Sequence, residues 1–421
     1  MRQNFAQQQR LEAAWLRQPP LSDILAVLDG AGEEARVVGG AIRNTLLGGR
    51  PGDIDIATTA LPDEVIKRIQ SAGFKAVPTG IEHGTITAVA EGQPFEITTL
   101  REDVETFGRR AKVAFGRDWK HDAERRDFTM NALSATPQGV IYDYVGGLSD
   151  IAARRVRFIG NAASRISEDY LRILRFFRFH AEYGEGAPDP EGLAACIAGR
   201  AGLEQLSRER VRLELLKLLL AKHALDSLAV MAETGLLDRL LGGVPLLASL
   251  SKMIEIESAL KLPPDCIRRL GTVSVSVIED ADRLRERLRV SNAEYERLAS
   301  MADRWWDISS AWDQQRARVS LYRLGRERYL DRVLLAWARS SETAADERWS
   351  SMVRLPEHWM IPTFPLRAAD FVARGLPKGP QLGRALAMAE EAWTVAGFPV
   401  DCRSLAMIAD GATSMIRAEN R

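Results

Sequence analysis

The chain has 421 residues, for which roughly two to three domains are expected. It is 46% hydrophobic and 27% charged, close to the globular average, which excludes a disordered, collagen-like or coiled-coil protein. The 57 acidic and 57 basic residues balance, so net charge identifies no partner. Of the basic residues 48 are Arg and nine are Lys, a ratio that fits either codon bias or recognition of phosphates and bases by bidentate guanidinium groups.

The positions of the cysteines and the hydropathy of the chain predict the cellular compartment. Cys196, Cys266 and Cys402 are far apart and lack a CxxC or histidine pairing, which argues against a disulfide framework or a zinc site. The first 20 residues lack the apolar core of a secretory signal. No apolar run approaches the ~18 residues that a membrane helix needs. A cytoplasmic protein without a membrane segment is therefore predicted.

The first 150 residues alternate helical and β-like patterns. A helix is predicted over 3–17, ending at Pro19 and Pro20, and Ser22 is predicted to cap a second helix through Leu28. Residues 102–124 are predicted to be a mobile loop near a site or a plain solvated loop. The remaining predicted elements are strands at Ala35–Val38, Asp53–Ala57, Thr85–Ala90, Phe95–Leu100 and Val140–Tyr144 and helices at 41–48 and 62–72.

Beyond about residue 160 the pattern is helical almost throughout, as in the segment that Ser207 is predicted to cap. The predicted fold class is α+β, with a mixed β-sheet and helices first and an all-α part after it. The predicted boundaries are 1–34 for an N-terminal helical extension, 35–150 for the α+β domain, 151–220 for a helical neck and 221–421 for an all-α body and tail.

The first candidate site follows the strand at 35–38. Gly39 and Gly40 form a turn in which the backbone can approach a ligand closely. A helix starts there, so its first N–H groups favour an anion, and Arg43 in the first turn adds a guanidinium. Although Gly-Gly alone is often only a turn, the combination predicts a phosphate-binding site.

Paired carboxylates come next. Asp53 and Asp55 are two residues apart on a predicted strand, so their side chains point to the same side. Two carboxylates beside a phosphate-binding turn suit Mg²⁺, whose other ligands would be water and phosphate. Glu96 is a candidate third carboxylate, either in the metal cluster or as acceptor of a proton from an attacking hydroxyl. The alternative for Glu96 is a solvated position on an edge strand.

Two later segments carry candidate nucleotide-binding groups. Residues 125–133, Arg-Arg-Asp-Phe-Thr-Met-Asn-Ala-Leu, are interpreted as a helical stretch that holds a triphosphate and a ribose, or as a plain surface helix. Asp169, Arg172, Arg175 and Arg178 recur every third residue and predict a spiral band on a helix. Asp169 and Arg172 could present donors and acceptors to a nucleobase, or form an ordinary salt bridge.

Local charge favours the nucleotide interpretation, because residues 151–180 hold seven Arg against two acids. Other classes are disfavoured by what the sequence lacks. It has no GxxxxGK[ST] loop and no GxSxG motif. The pair His121 and Asp122 has too few partner histidines for a metal phosphohydrolase.

Together these motifs resemble the class II tRNA nucleotidyltransferases, the bacterial CCA-adding enzymes, and the related bacterial poly(A) polymerases, within the polymerase-β-like superfamily. The resemblance lies in Gly39-Gly40-x-x-Arg43, in Asp53-x-Asp55, in RRDFTMNAL at 125–133 and in EDxxRxxRxxRF from Glu168. It covers about residues 37–217, roughly the first half of the chain.

The resemblance implies a Mg²⁺-dependent nucleotidyltransferase that adds C, C and A to the tRNA 3′ acceptor end from CTP and ATP. Asp53 and Asp55 are implied to bind two Mg²⁺ ions, with Glu96 as the third acid. The implied nucleotide-binding residues are Gly39, Gly40, Arg43, Arg126, Asp127, Asn131, Asp169, Arg172, Arg175 and Arg178. Among them Asp169 and Arg172 would act as a protein template for the base. No obligate protein partner is implied.

Two departures from the family pattern bear on this prediction. Asn44 replaces the Asp that usually follows Arg43, so no catalytic role is assigned to it. The basic-aromatic signature usual in poly(A) polymerases is missing at 107–113, which favours CCA addition. Within the resemblance, 35–150 is the catalytic head, 151–220 recognises the base and 221–421 binds tRNA.

Several alternatives stay open at this point. One is a poly(A) polymerase that uses ATP only, and another is a relative that adds only CC or only A. A third is an RNA-binding module with a degenerate catalytic domain, against which the intact Asp53 and Asp55 pair argues. A small-molecule nucleotidyltransferase would share the two aspartates and lack the EDxxR helix.

Overall fold

The structure, a computed structural model, describes residues 9–107 and 110–419. The chain forms two compact units, Met1–Leu237 and Asp238–Arg421. The first contains the sheet and the second is helical. This confirms the predicted α+β class. Within the described ranges, no helix has both the length and the apolar character needed to cross a membrane.

The β-structure is confined to the first unit. The strands of the described residues are β1 (Ala35–Val38), β2 (Asp55–Thr58), β3 (Lys75–Gly80), β4 (Thr85–Ala90), β5 (Gln93–Thr99), β6 (Arg101–Phe107), β7 (Arg110–Phe115), β8 (Ser134–Ala135) and β9 (Ile141–Tyr142). Seven of them form a mixed sheet in the order β3-β4-β5-β2-β1-β8-β9, in which β2 and β5 are parallel and the other neighbours antiparallel.

The first unit also contains ten helices, and their bounds follow. They are α1 (Leu21–Leu28), α2 (Gly40–Leu46), α3 (Pro62–Ser71), α4 (Trp119–Glu124), α5 (Gly147–Ala152), α6 (Ala162–Glu168), α7 (Leu171–Tyr183), α8 (Pro190–Gly199), α9 (Arg208–Leu220) and α10 (Ala224–Glu233), counted over the described residues.

The two faces of the sheet differ. Ile56, Ile86 and Ile97 are fully buried on one face; helix α3 packs against β3, β4 and β5, and helix α1 against β1. Because side chains alternate along a strand, Asp55 and Glu96 lie on the opposite face, in register with each other on β2 and β5. The candidate carboxylates therefore stand on the polar face of the sheet.

Four local predictions near the N-terminus and after the sheet are wrong. Of the helix predicted over 3–17, residues 3–8 lie outside the described residues, and residues 9–17 contain only a 3-10 turn at Ala14–Arg17. Ser22 lies inside α1, whose N-cap is Pro20. Within the segment predicted as a loop, β6 and β7 pair as a two-stranded hairpin sheet and α4 follows. The predicted helix at 125–133 is a 3-10 turn over Thr129–Asn131.

An aromatic cluster fixes this last turn against α7. The ring of Phe128 lies 4.9 Å from that of Phe158 and 5.1 Å from that of Phe179, measured between centroids. Phe158 in turn stacks on Phe176 at 5.4 Å. Phe128, Phe158 and Phe176 are all buried, and such contacts stabilise beyond simple burial by about 0.5–1.5 kcal/mol each. The cluster brings the polar residues beside Phe128 to the polar side of α7.

The second unit is helical throughout its described part. Its helices are α11 (Leu236–Leu241), α12 (Leu247–Ala259), α13 (Cys266–Ser274), α14 (Ile278–Leu288), α15 (Asn292–Ala302), α16 (Gln314–Ala338), α17 (Glu347–His358), α18 (Ala368–Val372), α19 (Pro380–Val395) and α20 (Cys402–Glu419), with α11 beginning at the end of the first unit. Trp337 and Trp349 stack in one of its hydrophobic cores, with 6.1 Å between the ring centroids. The fully buried Asp331 accepts hydrogen bonds from Arg268 and Arg297.

Candidate active site

The turn between β1 and α2 forms one wall of a cleft. Gly39 has a φ of 72°, in the region that favours glycine. A Cβ atom at Gly39 would lie 3.2 Å from Nη1 of Arg126, closer than most real Cβ contacts. Glycine at this position therefore lets Arg126 approach the start of α2.

Arg43 is buried at the base of the same wall. Its guanidinium donates to Oδ1 of Asn131, to Oδ1 of Asn44 at 2.8 Å and to the hydroxyl of Tyr183 at 2.8 Å. Burial lowers the pKa of Arg43, and burial raises that of Tyr183 to about 12, so the tyrosine hydroxyl stays protonated and donates to Glu182. The contacts hold the guanidinium in one orientation.

The two aspartates line the same cleft. Asp53 is in the loop before β2, and Asp55 is the first residue of β2, so the predicted strand begins two residues later than expected. In the described part of the chain, neither carboxylate forms an ion pair with a basic residue. Partial burial and the nearby carboxylates of Glu96 and Asp53 raise the pKa of Asp55, against the opposing effect of Arg126. Such an excess of negative charge is suited to a cation.

Arg126 and Asp127 follow α4. Asp122 of α4 accepts hydrogen bonds from both Arg125 and Arg126. Burial alone would raise the pKa of Asp122, but Arg126 and Arg125 more than offset this and hold it below its usual range. The pair His121 and Asp122 therefore lies on helix α4, where Asp122 orients two arginines.

Asp127 connects this turn to α7. Its Oδ2 accepts two hydrogen bonds from Arg175, at 2.8 and 2.5 Å, and its Oδ1 accepts one from Asn131 at 3.0 Å. Burial opposes ionisation, but Arg175 and Asn131 keep the pKa of Asp127 below its usual value. Because Asn131 also accepts from Arg43, one chain of hydrogen bonds runs from α2 to α7.

The side chains of Asp169 and Arg172 do not form a hydrogen bond or ion pair with each other in the described structure. Asp169 lies between α6 and α7 with φ −155° and ψ 107°, so the predicted helical band begins only after it. Its Oδ2 accepts from Arg210 of α9 at 2.6 Å. Arg172 donates to the carbonyl of Arg165 and to Glu168. Asp169 and Arg172 nevertheless border the same cleft.

The other two arginines of the band attach α7 to its surroundings. Arg175 binds Asp127, and Arg178 donates from Nε to Oε2 of the buried Glu214 on α9 at 2.5 Å. The rings beside them add cation–π contacts, with Arg178 4.4 Å from the centroid of Phe179. Most side chains of the band are therefore bonded to other residues of the first unit.

All these groups surround one cavity of about 750 Å³. Its lining residues are Gly39, Gly40, Arg43, Asn44, Pro51, Gly52, Asp53, Asp55, Arg125, Arg126, Asp127, Asn131, Asp169, Leu171, Arg172, Arg175, Arg178, Phe179 and Arg210. Every sequence-predicted site residue is in this set except Glu96, which lies beside it as the register partner of Asp55. The structure therefore brings together sequence-predicted residues from Gly39 to Arg178, which are 139 positions apart in the chain.

Sequence reasoning missed three residues of the site. Asn44 holds Arg43 and also donates from Nδ2 to the carbonyl of Pro51 at 3.1 Å, which ties α2 to the loop that carries Asp53. Tyr183 contacts the guanidinium of Arg43, and Arg210 holds Asp169. The sequence shows that Asn44 directly follows Arg43. No pattern of neighbouring residues indicates that Tyr183 contacts Arg43 or that Arg210 reaches the cleft.

The donor set fits a hard divalent cation that is only partly ligated by protein. Asp53 and Asp55 offer carboxylate oxygens, and both lack a basic partner among the residues described. The described residues contain no cluster of three or more His, Cys, Asp or Glu side chains close enough to hold an ion. A metal at the two aspartates would therefore take its remaining ligands from water and phosphate.

Two carboxylates and several guanidinium groups line one cavity of nucleotide size, beside a mixed sheet and the Gly-Gly turn that follows its strand β1. This fold and cleft define a nucleotidyltransferase of the polymerase-β-like class. Comparison with known proteins supports this class. A family profile described as "Poly A polymerase head domain" matches residues 35–157, and one described as "Probable RNA and SrmB- binding site of polymerase A" matches residues 187–250.

Individual relatives identify the family more closely. The mouse protein "CCA tRNA nucleotidyltransferase 1, mitochondrial" is 33% identical over 377 residues, covering 87% of this chain and 84% of that protein. The "CCA-adding enzyme" of Leuconostoc citreum is 42% identical over 223 residues, about half of each chain. A solved Bacillus stearothermophilus CCA-adding enzyme in complex with CTP has a TM-score of 0.76 at 28% identity, covering 96% of this chain and all of that one.

The chain therefore belongs to the CCA-adding tRNA nucleotidyltransferase and poly(A) polymerase family. The resemblance stated from the motifs is confirmed, and so are the fold class and the enzyme class.

Proposed function

We propose that this protein adds C, C and A to the 3′ end of tRNA, using CTP and ATP and releasing pyrophosphate. The observation that carries the proposal is the single cleft lined both by Asp53 and Asp55 and by the guanidinium groups of Arg43, Arg126 and Arg172. Such a cleft neutralises a triphosphate on one side and leaves acidic groups for a cation on the other. Two named relatives and the CTP-bound neighbour support CCA addition.

The residues of the cleft divide by chemistry into three proposed groups. Gly39, Gly40, Arg43 and Arg126 would bind the triphosphate, because they combine an open backbone with oriented guanidinium groups. Asp127 and Asn131 would contact the ribose. Asp169 and Arg172 would read the base, and Arg175 and Arg178 would support them by fixing α7 to Asp127 and Glu214.

Base reading requires an exchange of partners. The side chain of Asp169 is bonded to Arg210, and that of Arg172 is bonded to Glu168. Each ion pair would have to break when a base binds. Both pairs are partly exposed, where such ion pairs contribute about 0–1 kcal/mol. A nucleobase edge with matching donors and acceptors is enough to compensate for a bond of this strength.

Mg²⁺ is the proposed cofactor, with Asp53 and Asp55 as its protein ligands in a two-ion site. When bound, the cation would lower the pKa of the attacking hydroxyl and offset charge on the triphosphate. Arg43 and Arg126 would hold the departing pyrophosphate. Glu96 faces the same side of the sheet as Asp55 and is proposed as the third acid, close to the attacking hydroxyl.

The domain boundaries stay predictions of the sequence, and we propose them as functional divisions. They are a 1–34 extension, a 35–150 catalytic head, a 151–220 neck for base recognition and a 221–421 body and tail for tRNA. A cytoplasmic location is likewise proposed from cysteine usage, while relatives named as mitochondrial occur among the matches. No obligate protein partner is proposed.

One experiment separates this function from its alternatives. The purified protein with Mg²⁺ is incubated with a tRNA transcript that lacks its CCA end, and receives CTP alone, ATP alone or both, with products sized to one nucleotide. We expect two additions with CTP alone and a third only with both nucleotides.

The other outcomes are distinct. A ladder with ATP alone would identify a poly(A) polymerase. Arrest after two additions with both nucleotides, or an A added only to transcripts that already end in CC, would identify a CC-only or A-only relative. No extension under any condition would favour an RNA-binding module with a degenerate catalytic domain.

A further inference from the structure

A row of threonine hydroxyls leads away from the catalytic carboxylates across the polar face of the sheet. Thr87 of β4 is the register partner of Glu96 of β5, which is itself the partner of Asp55. Oγ1 of Thr87 lies 2.8 Å from Oγ1 of Thr79 on β3. One pleat further along, Oγ1 of Thr85 lies 3.2 Å from Oγ1 of Thr98.

The row is accessible. Glu96 and Thr79 are exposed, and Thr85, Thr87 and Thr98 are half-buried. The side chains that alternate with them on the same strands, such as those of Ile86 and Ile97, are fully buried on the other face. The polar face therefore continues from the cleft over β5 and β4, with adjacent strands about 4.8 Å apart.

The geometry of the cleft indicates which of the two substrates, the incoming nucleotide or the acceptor RNA, this surface can bind. The groups proposed for the triphosphate, Gly39, Arg43 and Arg126, lie beyond β2 on the side of β1. In an in-line displacement the attacking oxygen and the leaving pyrophosphate are on opposite sides of the reacting phosphorus. The attacking 3′-hydroxyl therefore approaches from the other side of β2, where the next strands are β5 and β4.

The chemistry of the row suits ribose better than phosphate. Glu96 and Asp55 repel an anionic backbone, whereas a threonine hydroxyl is neutral and has one donor and two acceptor positions. Each Thr–Thr contact uses only part of that capacity. A ribose 2′-hydroxyl is also both donor and acceptor, and it is the group by which a protein distinguishes RNA from DNA.

We propose that Thr87 and Thr98, beside Glu96, bind the ribose 2′-hydroxyls at the 3′ end of the acceptor RNA and thereby position its terminal 3′-hydroxyl. The inference rests on the proposed function and adds a binding surface for the acceptor to the nucleotide cleft. The competing explanation is β-propensity, since threonine is favoured on exposed strands without any ligand.

The test compares two acceptors. Both are tRNA transcripts without the CCA end, and they differ only in whether the last nucleotide carries a 2′-hydroxyl. Thr87→Val and Thr98→Val each remove a hydroxyl and conserve shape. We expect either variant to raise KM for the ribose-ended acceptor about threefold to tenfold, the effect of one lost hydrogen bond. The preference of the unmodified protein for this acceptor should shrink, with KM for CTP unchanged.

Controls separate contact from folding. Thr87→Ser keeps the hydroxyl and should restore the preference, and Ser71→Ala, at an exposed position of α3 behind the sheet, should change nothing. Unchanged KM and preference in both valine variants, or an equal loss with both acceptors, would overturn the inference while leaving the proposed function intact. If the unmodified protein extends neither acceptor, the proposed function itself fails, and this inference with it.

Discussion

At the scale of single residues, the cleft is organised by opposing charges that are satisfied to different degrees. Arg43 is buried and has four hydrogen bonds to Asn44, Asn131 and Tyr183, which fix its direction before any ligand arrives. Asp55, in contrast, has like charges beside it, because Glu96 and Asp53 are also carboxylates. An oriented guanidinium group and a carboxylate with excess negative charge beside it, both lining one cavity, favour a ligand that carries both charge types, such as a metal-bound triphosphate.

Replacing Asp55 tests this environment. Asp55→Asn should lower the rate of nucleotide addition by roughly a hundredfold or more, because charge stabilisation at the reaction centre is lost. It should leave tRNA binding nearly unchanged. Single-turnover extension and equilibrium tRNA binding measure the two effects, and retained turnover would contradict the metal assignment.

The same substitution has an opposite effect on stability. Burial first, and then Glu96 and Asp53, raise the pKa of Asp55 above its unfolded value, so the folded state binds a proton more tightly than the unfolded state. Stability contributed by this proton is present below the unfolded pKa and is lost as pH rises through the folded pKa. The Asn variant should therefore melt at a higher temperature than the unmodified protein at neutral pH, with the difference vanishing in acid. A lower Tm at neutral pH would contradict this reading.

At the scale of elements, helix α7 is the part that connects the cleft to the rest of the first unit. Arg175 binds Asp127 on one side and Arg178 binds Glu214 of α9 on the other. The seven arginines at 151–180, which suggested a basic stripe, all form ion pairs, mostly with carboxylates outside that segment. Their first role in the structure is to hold helices and turns in place.

The start of α7 leads to a prediction about nucleotide selectivity. Because Asp169 borders the nucleotide cleft and is held by Arg210, Asp169→Ala should blur the choice between CTP and ATP more than it weakens tRNA binding. Arg210→Ala should change selectivity in the same direction and to a smaller extent, since Asp169 keeps its backbone contact with Leu171.

Competition between CTP and ATP on a transcript ending in CC measures this choice. Lys67→Ala, at an exposed position of α3, serves as the matched loss of a charge outside the cleft. Unchanged selectivity in the Asp169 variant would count against its role as a template for the base.

At the scale of the whole molecule, folding and catalysis depend on different groups. The first unit is organised by the sheet and the phenylalanine cluster, and the second by its own cores, including the Trp337 and Trp349 pair. The described residues contain no His, Cys, Asp and Glu cluster large enough for a structural metal. The metal proposed at Asp53 and Asp55 is therefore expected to serve the reaction alone.

Removing divalent metal with EDTA should abolish nucleotide addition and lower the melting temperature only slightly, because a weakly held cation adds only RT ln(1 + [Mg²⁺]/Kd) to the stability of the folded state. Added Mg²⁺ should restore addition in full. Extension assays and thermal unfolding followed by circular dichroism measure the two quantities on the same sample. A clear fall in melting temperature on chelation would indicate a structural metal.

The sequence by itself determined the class of fold, the order of the motifs and most of the residues that line the cleft. This was possible because glycine turns, paired aspartates and regular arginine spacing are each visible among neighbouring residues of the sequence. Local geometry also predicted β1 and β4 to the residue.

Only the tertiary structure decided how these groups are held. The turn at 125–131 is not a helix, because the burial of Phe128 against Phe158 and Phe179 outweighs its local preference. Asp169 pairs with Arg210, 41 residues away, and Arg43 with Tyr183, 140 residues away. Contacts between distant segments depend on how helices and strands pack together, and a pattern of neighbouring residues carries no information about that packing.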